Sequence, residues 1–168
     1  RASAFGQPRA MTEAEIEQTI EAFANAAAVA KQAGFSGVQV HGAHGYLVSQ
    51  FLSPLTNRRD DRWGGSLENR ARFLRETIRA CRAATSADFP IGVKLNSSDF
   101  QQGGFSTEDC VQVVRWLGDE GVDLLELSGG SYEQPSMMGV RAKGEAPPVA
   151  DSTRRREAGM PRCARCSV

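Results

Sequence analysis

The feature that most constrains this sequence is a repeated alternation of helices and strands in which every strand has one aliphatic face and one small or polar face. Such alternation is typical of βα units with a parallel sheet. The aliphatic face suits covering helices, whereas the other face becomes polar toward the C-terminal end of each strand. The predicted strands are 36–41, with Val38 and Val40 opposite Gly37, Gln39 and His41; 91–96, with Ile91, Val93 and Leu95 opposite Gly92, Lys94 and Asn96; and 123–128, with Leu125 and Leu127 opposite Glu126 and Ser128.

Three helices are predicted from capping residues and from apolar stripes at helical spacing. The first begins with a capping box at Thr12 and ends at Gly34, since glycine is a common helix terminator. The second begins near Ser66, and the third runs from near Ser106 to Gly121. The stripes expected to face inward are Ile16, Ile20, Phe23, Ala27 and Ala30; Leu67, Ala71, Leu74, Ile78 and Cys81; and Val111, Val114 and Leu117.

The strand pattern favours an α/β fold of the (β/α)8, or TIM, barrel type over an open doubly wound sheet. An open doubly wound sheet is apolar on both faces, whereas a barrel carries catalytic groups at the C-terminal ends of its strands. A whole barrel needs about 250 residues, so we expect about three βα units of a barrel that is incomplete at both ends. Residues 1–136 are predicted to be the central part of the barrel domain, and residues 137–168 an irregular, poorly ordered tail.

Composition narrows the classes of function. The 168 residues carry a formal net charge of +0, with 40% hydrophobic and 24% charged residues, which gives no sign of a nucleic-acid or membrane partner. No apolar run approaches the roughly 20 residues of a membrane span. Four scattered cysteines do not make a disulfide framework, so we expect a reducing, cytoplasmic location. Because the chain begins with Arg1, we expect its natural start to lie upstream.

The richest segment in chemical groups follows the first predicted strand. His41 falls on the polar face by alternation, and Gly42 and Gly45 allow the backbone to bend so that His44 and Tyr46 also turn inward. Two imidazoles offer N–H donors to one oxygen, and a phenol with a pKa near ~10 stays protonated at neutral pH. Such a cluster suits a reaction in which negative charge builds on a carbonyl oxygen while a carbon takes up a proton.

Two other interpretations of the histidine pair remain open. His41 and His44 could bind a metal, although no cysteine, aspartate or glutamate lies nearby in sequence to complete three ligands. They could also be packed core histidines without a role. They are the chain's only two histidines, and both lie at the C-terminal end of a predicted strand, which favours a functional role.

Lys94 is the second candidate, because a lysine that faces a barrel interior is costly unless it has an anionic or electron-rich partner. A cation there could stabilise an anionic reduced cofactor ring. The alternative is a shifted register that places this side chain outside the barrel. Glu126 and Ser128 are also expected to point inward, and Gly129 and Gly130 continue into a turn of the kind that lies close to ligands.

Two further segments stand out. Residues 53–66 form a long βα loop in which Arg and Asp residues surround Trp63, which indicates a salt-bridged lid at the C-terminal face of the barrel. Cys163 and Cys166 have the spacing of a metal or redox pair, but no second pair accompanies them, so we expect no function for them.

Together these segments resemble the old yellow enzyme family of NADH:flavin oxidoreductases, and in particular its bacterial ene-reductase and dienoyl-reductase-like branch. The resemblance covers most of the chain, and the combination of motifs is highly specific. It rests on Ala33-Gly34-Phe35, His41 to Leu47, Gln50 to Pro54, Asn57-Arg58, Asp61 to Ser66, Glu68-Asn69-Arg70, Gly92 to Leu95, Gly121-Val122-Asp123 and Leu127 to Gly130, and it extends to Ser152-Thr153-Arg154 and Arg156-Glu157-Ala158.

The resemblance implies an FMN-dependent (β/α)8 barrel that reduces activated C=C bonds of α,β-unsaturated carbonyl compounds, such as enones and enals, with NAD(P)H. It implies that His41 and His44 hold the substrate carbonyl oxygen and that Tyr46 protonates the α-carbon after flavin hydride reaches the β-carbon. Lys94 stands where the family places a basic residue against the N1/O2 edge of the flavin. Many members have arginine there, so in this chain the compact ammonium of lysine replaces the planar guanidinium group of arginine. A homo-oligomer is compatible with this assignment, and no metal is implied.

Two departures from the family pattern limit what this chain is expected to do alone. The strands that the family places before Arg1, with contacts to the flavin ring, and the last two strands, whose loops bind the FMN phosphate, are not in this sequence. Residues 159–168 leave the family pattern. We therefore expect the central portion of an ene-reductase that binds FMN weakly or not at all. The alternative is a non-catalytic barrel fragment.

Overall fold

The computed structural model describes residues 9–130 of the chain. The predicted tail, 137–168, and the cysteine pair Cys163 and Cys166 lie outside the described residues. The predicted helices and strands are confirmed, with one additional short helix of 6 residues that spans fewer than two turns and so carries little periodicity. In chain order the elements are α1 (Glu13–Gln32), β1 (Val38–Gly42), α2 (Leu47–Leu52), α3 (Leu67–Ala84), β2 (Ile91–Asn96), α4 (Thr107–Asp119) and β3 (Leu124–Ser128).

The three strands form one parallel sheet in the order β1-β2-β3. Val40 lies opposite Val93, and Val93 lies opposite Leu125. Neighbours in the chain are therefore neighbours in the sheet, which is the arrangement of consecutive βα units in a barrel.

The helices begin where their capping residues predict. At the start of α1, Thr12 Oγ1 accepts a bond of 3.3 Å from the Glu15 N–H, while Glu15 Oε2 accepts one of 2.8 Å from the Thr12 N–H. Ser66 and Ser106 cap α3 and α4 with their side-chain oxygens. Gly34 has φ +86, a left-handed conformation that glycine adopts without a steric cost and that ends the turn after α1.

The core lies between the helices and one face of the sheet. Phe51 on α2 stacks on Phe73 of α3 at 4.4 Å between ring centroids. The opposite sheet face is uncovered within residues 9–130, because Gln39, His41 and Glu126 are exposed there. The buried apolar side chains of the main elements are Ile16, Ile20 and Ala27 on α1; Val40, Ile91, Val93 and Leu95 in the sheet; Ala71, Phe73, Leu74, Ile78 and Cys81 on α3; and Cys110, Val113 and Leu117 on α4.

Two details differ from the prediction. Val111 is 42% exposed, so its expected inward position is wrong. The helix α4 packs through Cys110, Val113 and Leu117 instead, which places Val111 on the opposite side because successive inward positions are three or four residues apart. Leu127 lies on the outward face of β3 as expected but is 54% exposed, since no element within the described residues covers it.

Candidate active site

The C-terminal halves of the three strands place one polar residue each in a row across the uncovered face. His41 on β1 lies opposite Lys94 on β2, and Lys94 lies opposite Glu126 on β3. Because the strands are parallel, their C-terminal ends meet at the same edge of the sheet. The register thus puts Lys94 on the same face as His41, and the alternative position of Lys94 among the helices is wrong.

The half-buried Lys94 has an anionic partner on the neighbouring strand. Its Nζ lies 2.7 Å from Oε1 of Glu126, and the other carboxylate oxygen accepts a bond of 3.1 Å from Nε2 of Gln39. The hydrogen bond from Lys94, and after it the one from Gln39, lowers the pKa of Glu126. The ammonium of Lys94 is therefore paired with an ionised carboxylate. This pairing offsets the free-energy cost of partly burying a charge on this face.

A tight turn after β1 carries the second histidine. His44 has φ +64, a left-handed conformation uncommon for a side chain larger than glycine, and Gly45 follows with φ +79. Gly42 passes close to β2, where a Cβ on it would lie 3.0 Å from the carbonyl oxygen of Lys94. The turn needs glycine at Gly42 for close approach and at Gly45 for its backbone angle.

This turn brings His41, His44 and Tyr46 together into one ring cluster. The imidazole centroids of His41 and His44 are 5.2 Å apart, and that of His41 is 5.1 Å from the phenol ring of Tyr46. Tyr46 is 45% exposed, so the cluster is accessible from solvent. The expected inward bend at the two glycines therefore takes place.

The environment of the ring cluster favours neutral imidazoles. Partial desolvation lowers the pKa of His41, and the charge of Lys94 lowers it further. The pKa of His44 is lowered by desolvation first, then by the charges of His41 and Lys94. Glu126 acts in the opposite direction on both. Each imidazole therefore presents one N–H donor and one acceptor nitrogen at neutral pH.

His44 is held at two separate atoms by residues of β2 and β3. Its backbone N–H donates a bond of 3.1 Å to Oδ1 of Asn96, and its ring Nε2 lies 2.7 Å from Oγ of Ser128. Asn96 is 1% exposed, and its amide nitrogen donates to Asp99 Oδ1 at 3.3 Å and to the Gly130 carbonyl at 3.0 Å. Asn96 thus connects the chain segments that follow all three strands.

The sequence placed Asn96 on the polar face but did not reveal this connecting role. The only signal in the sequence is its position at the C-terminal end of β2, which does not indicate the residues that it contacts. Its contacts depend on three segments that are distant in the chain.

The loop 53–66 is closed by buried groups. Trp63 is fully buried, and the buried Asn57 side-chain amide donates to the carbonyls of Phe51 at 2.7 Å and of Trp63 at 2.8 Å. The loop, α2 and residues 9–11 line a cleft of about 660 Å³. This cleft lies beside α2, whose N-cap is Tyr46.

Ion pairs hold the same loop on its outer side. Arg59 pairs with Asp61 within the loop at 2.5 Å, and Arg62 pairs with Glu13 of α1 at 2.9 Å. The predicted salt-bridged character of the loop is therefore confirmed.

Neither a metal centre nor a membrane-spanning helix is found in the described part of the chain. Within residues 9–130 no group of three or more His, Cys, Asp or Glu side chains could hold a metal ion, so His41 and His44 have no third ligand there. In the same range no helix has the length and apolar character needed to cross a bilayer.

Comparison with known proteins gives matches over nearly the whole sequence. The family model of the NADH:flavin oxidoreductase / NADH oxidase family matches residues 2–152. An NADPH dehydrogenase of Geobacillus sp. (strain WCH70) is 45% identical over 148 residues, which are 88% of this chain and 42% of that protein. The chain thus spans less than half of the length of this curated relative.

Solved structures give the same picture for the fold. A 2-naphthoyl-CoA reductase in complex with 2-naphthoyl-CoA has a TM-score of 0.74 and 42% identity, and the match covers 76% of this chain and 19% of that chain. An old yellow enzyme homologue from Zymomonas mobilis has a TM-score of 0.66 and 28% identity, over 80% and 42% of the two chains. Old yellow enzymes are (β/α)8 barrels, so the predicted fold class, a partial barrel with parallel strands, is confirmed.

Proposed function

The chain belongs to the NADH:flavin oxidoreductase / NADH oxidase family, and on that premise we propose that it forms the substrate-binding part of an FMN-dependent ene-reductase. The reaction is reduction of an activated C=C bond of an α,β-unsaturated carbonyl compound with NAD(P)H. The observation that supports this most is the ring cluster of His41, His44 and Tyr46, which lies on the same sheet face as Lys94. The ligand named for one structural neighbour, 2-naphthoyl-CoA, also has a ring double bond conjugated to a thioester carbonyl.

In this proposal His41 and His44 hold the carbonyl oxygen of the substrate. Two neutral imidazoles with ring centroids 5.2 Å apart can each donate one N–H to the same oxygen. When hydride adds to the β-carbon, negative charge moves onto that oxygen, and donors aimed at developing charge stabilise the transition state. One such donor is typically worth about 2.7–4 kcal/mol.

Tyr46 supplies the proton in this proposal. Its phenol belongs to the same cluster, at 5.1 Å from the His41 ring, and its exposed position leaves room for a substrate. A phenol stays protonated at neutral pH, so it can donate to the α-carbon while the carbonyl oxygen is held nearby. A positioned acid of this kind contributes roughly 10²–10⁴-fold to the rate.

Lys94 is the residue that would contact the cofactor. FMN, when bound, would supply the hydride to the β-carbon after its own reduction by NAD(P)H. The strand ends fit such a group through Lys94, because its ammonium suits the electron-rich N1/O2 edge of a flavin. Glu126 keeps the ammonium on this face through the bond of 2.7 Å.

We further propose that residues 1–136 are the central part of the barrel domain and that the protein works in the cytoplasm on a small-molecule enone or enal. The thiols support a reducing compartment, because Cys81 and Cys110 are both free and buried. Burial raises the pKa of both thiols, that of Cys110 to about 11, so neither is a reactive thiolate.

A second candidate is a non-catalytic barrel fragment that does not hold FMN by itself. It is supported by the share of the Geobacillus relative that this chain spans, 42%. The uncovered polar face of the sheet supports it as well, since a barrel interior is covered when all eight strands are present.

Purification and turnover separate these candidates. The chain is purified and its flavin absorbance is recorded, and then NADPH oxidation is followed under argon with and without a cyclic enone. An ene-reductase oxidises NADPH only when the enone is present and forms the saturated ketone. The assay is repeated in air without enone: a yellow protein that consumes NADPH in air but not under argon is an oxidase, and a colourless protein without turnover in either assay is a fragment that lacks the cofactor.

A further inference from the structure

Ser128 contacts a ring nitrogen of His44, and the direction of this hydrogen bond decides which of the two ring nitrogens carries the proton. Nε2 of His44 lies 2.7 Å from Oγ of Ser128, a short contact between residues 84 positions apart in the chain. The backbone of His44 is fixed independently, because its N–H donates to the buried Asn96. The ring is therefore tethered at Nε2, and Nδ1 is its other nitrogen.

The two possible directions of this hydrogen bond have different chemical consequences. If Nε2 carries the proton, the ring donates to Ser128 and Nδ1 can only accept. If the Ser128 hydroxyl donates to Nε2, the proton of the neutral ring is on Nδ1, which is then a donor. A ring that holds a substrate carbonyl oxygen must donate, so only the second arrangement lets His44 bind an oxygen through Nδ1.

We propose that Ser128 is a positioning residue, whose hydroxyl donates to Nε2 of His44 and fixes the Nδ1–H tautomer that binds the substrate carbonyl oxygen. The inference deepens the proposed function and rests on it for the identity of the bound oxygen. The tautomer itself is a property of the protein without substrate and can be measured separately.

The sequence makes the measurement of the tautomer simple. The chain contains two histidines, so a protein labelled with 15N-histidine has two imidazole spin systems in an NMR spectrum. Protonated and unprotonated ring nitrogens differ widely in chemical shift, and their couplings to the ring carbon-bound protons tell Nδ1 from Nε2. A His44→Gln variant assigns the two systems. The expected result at pH 7.5 is a protonated Nδ1 and an unprotonated Nε2 in His44; a protonated Nε2 overturns the proposal.

Variants of Ser128 test the consequence. Ser128→Ala should mix the two tautomers and lower kcat/KM for a cyclic enone by about tenfold, the equivalent of one hydrogen bond. Ser128→Thr retains the hydroxyl and should restore both the single tautomer and the wild-type kcat/KM. Ser36→Ala, which removes an exposed hydroxyl near the N-terminal end of β1, should change neither. Circular dichroism checks that each variant folds.

The outcomes separate this inference from the proposed function. If the wild type does not reduce the enone, the proposed function fails, while the nitrogen shifts still decide the tautomer. If the wild type reduces the enone and Ser128→Ala retains the tautomer and the full kcat/KM, the positioning role of Ser128 is wrong and the ene-reductase assignment stands. If the Ala variant does not fold, the wild-type spectrum alone decides.

Discussion

Lys94 and Glu126 lie directly opposite each other on β2 and β3, with Nζ and Oε1 2.7 Å apart. The pair occupies the face of the sheet that carries His41, so its charges act on the ring cluster. Lys94 lowers the pKa of both histidines, and Glu126 raises it. Desolvation is the larger cause of the lowered pKa values, and the ion pair adjusts them.

Removal of the carboxylate should shift the histidines further. In Glu126→Gln the charge that raises the pKa of His41 and His44 is lost while the charge of Lys94 remains, so both pKa values should fall below those of the wild type. An NMR pH titration of the two imidazoles measures this shift. Glu21→Gln, on the exposed surface of α1, is the control and should leave both values unchanged. An upward shift in Glu126→Gln contradicts the assigned geometry.

Stability should fall at mildly acidic pH. The folded-state pKa values of His41 and His44 lie below the unfolded value of 6.5, so the unfolded chain binds protons more readily. The contribution of the two histidines to the free energy of unfolding is complete above about pH 7.5. It is lost as the pH falls through 6.5 toward their folded-state pKa values. Urea midpoints measured from pH 8 down to about pH 5 should decline. A His41→Gln, His44→Gln double variant should lose most of this slope; an equal slope in that variant assigns it to other groups.

Loss of the Tyr46 hydroxyl should affect the reaction and not the fold. Tyr46 is 45% exposed, so Tyr46→Phe should have a urea midpoint near that of the wild type. If the phenol is the proton donor, kcat for an enone should fall by roughly 10²–10⁴-fold. The rate of cofactor reduction by NADPH in the absence of enone serves as the internal control and should not change. Turnover at the wild-type rate would remove Tyr46 from the mechanism.

Two valines on α4 provide a matched test of packing. Val113 is 0% exposed and Val111 is 42% exposed on the same helix. Val113→Ala should lower the free energy of unfolding by about 1.5–3 kcal/mol, since it removes buried methyl groups. Val111→Ala should change it by less than about 0.5 kcal/mol. Equal losses measured by urea denaturation would place α4 in the orientation that the sequence predicted.

The buried guanidinium of Arg70 should be important for the fold. Its side chain is 8% exposed, contacts the carbonyl oxygens of Leu52 and Gly65, and lies 3.3 Å from the carboxylate of Asp109. Arg70→Met leaves these acceptors without a donor, which should cost about 1–3 kcal/mol. Arg115→Met, at an exposed position of α4, is the control and should cost less than about 0.5 kcal/mol. Urea unfolding of both variants makes the comparison.

The sequence by itself determined the three long helices, the three strands and which face of each strand is polar. Helix starts at Thr12 and Ser66 follow from local capping chemistry, and β2 has the predicted bounds Ile91–Asn96. Strand alternation also put His41 and Lys94 on the polar face. These features depend on residues a few positions apart, so the sequence order contains the information.

The tertiary structure alone decided which side chains meet across the sheet edge. Ser128 reaches His44 over 84 residues, and Asn96 binds the same residue from β2 over 52. The rotation of α4 was predicted incorrectly from the stripe Val111, Val114 and Leu117. Packing against the rest of the core buries Val113 and leaves Val111 exposed. Such contacts depend on the distance between separate elements in space, which no local pattern of residues specifies.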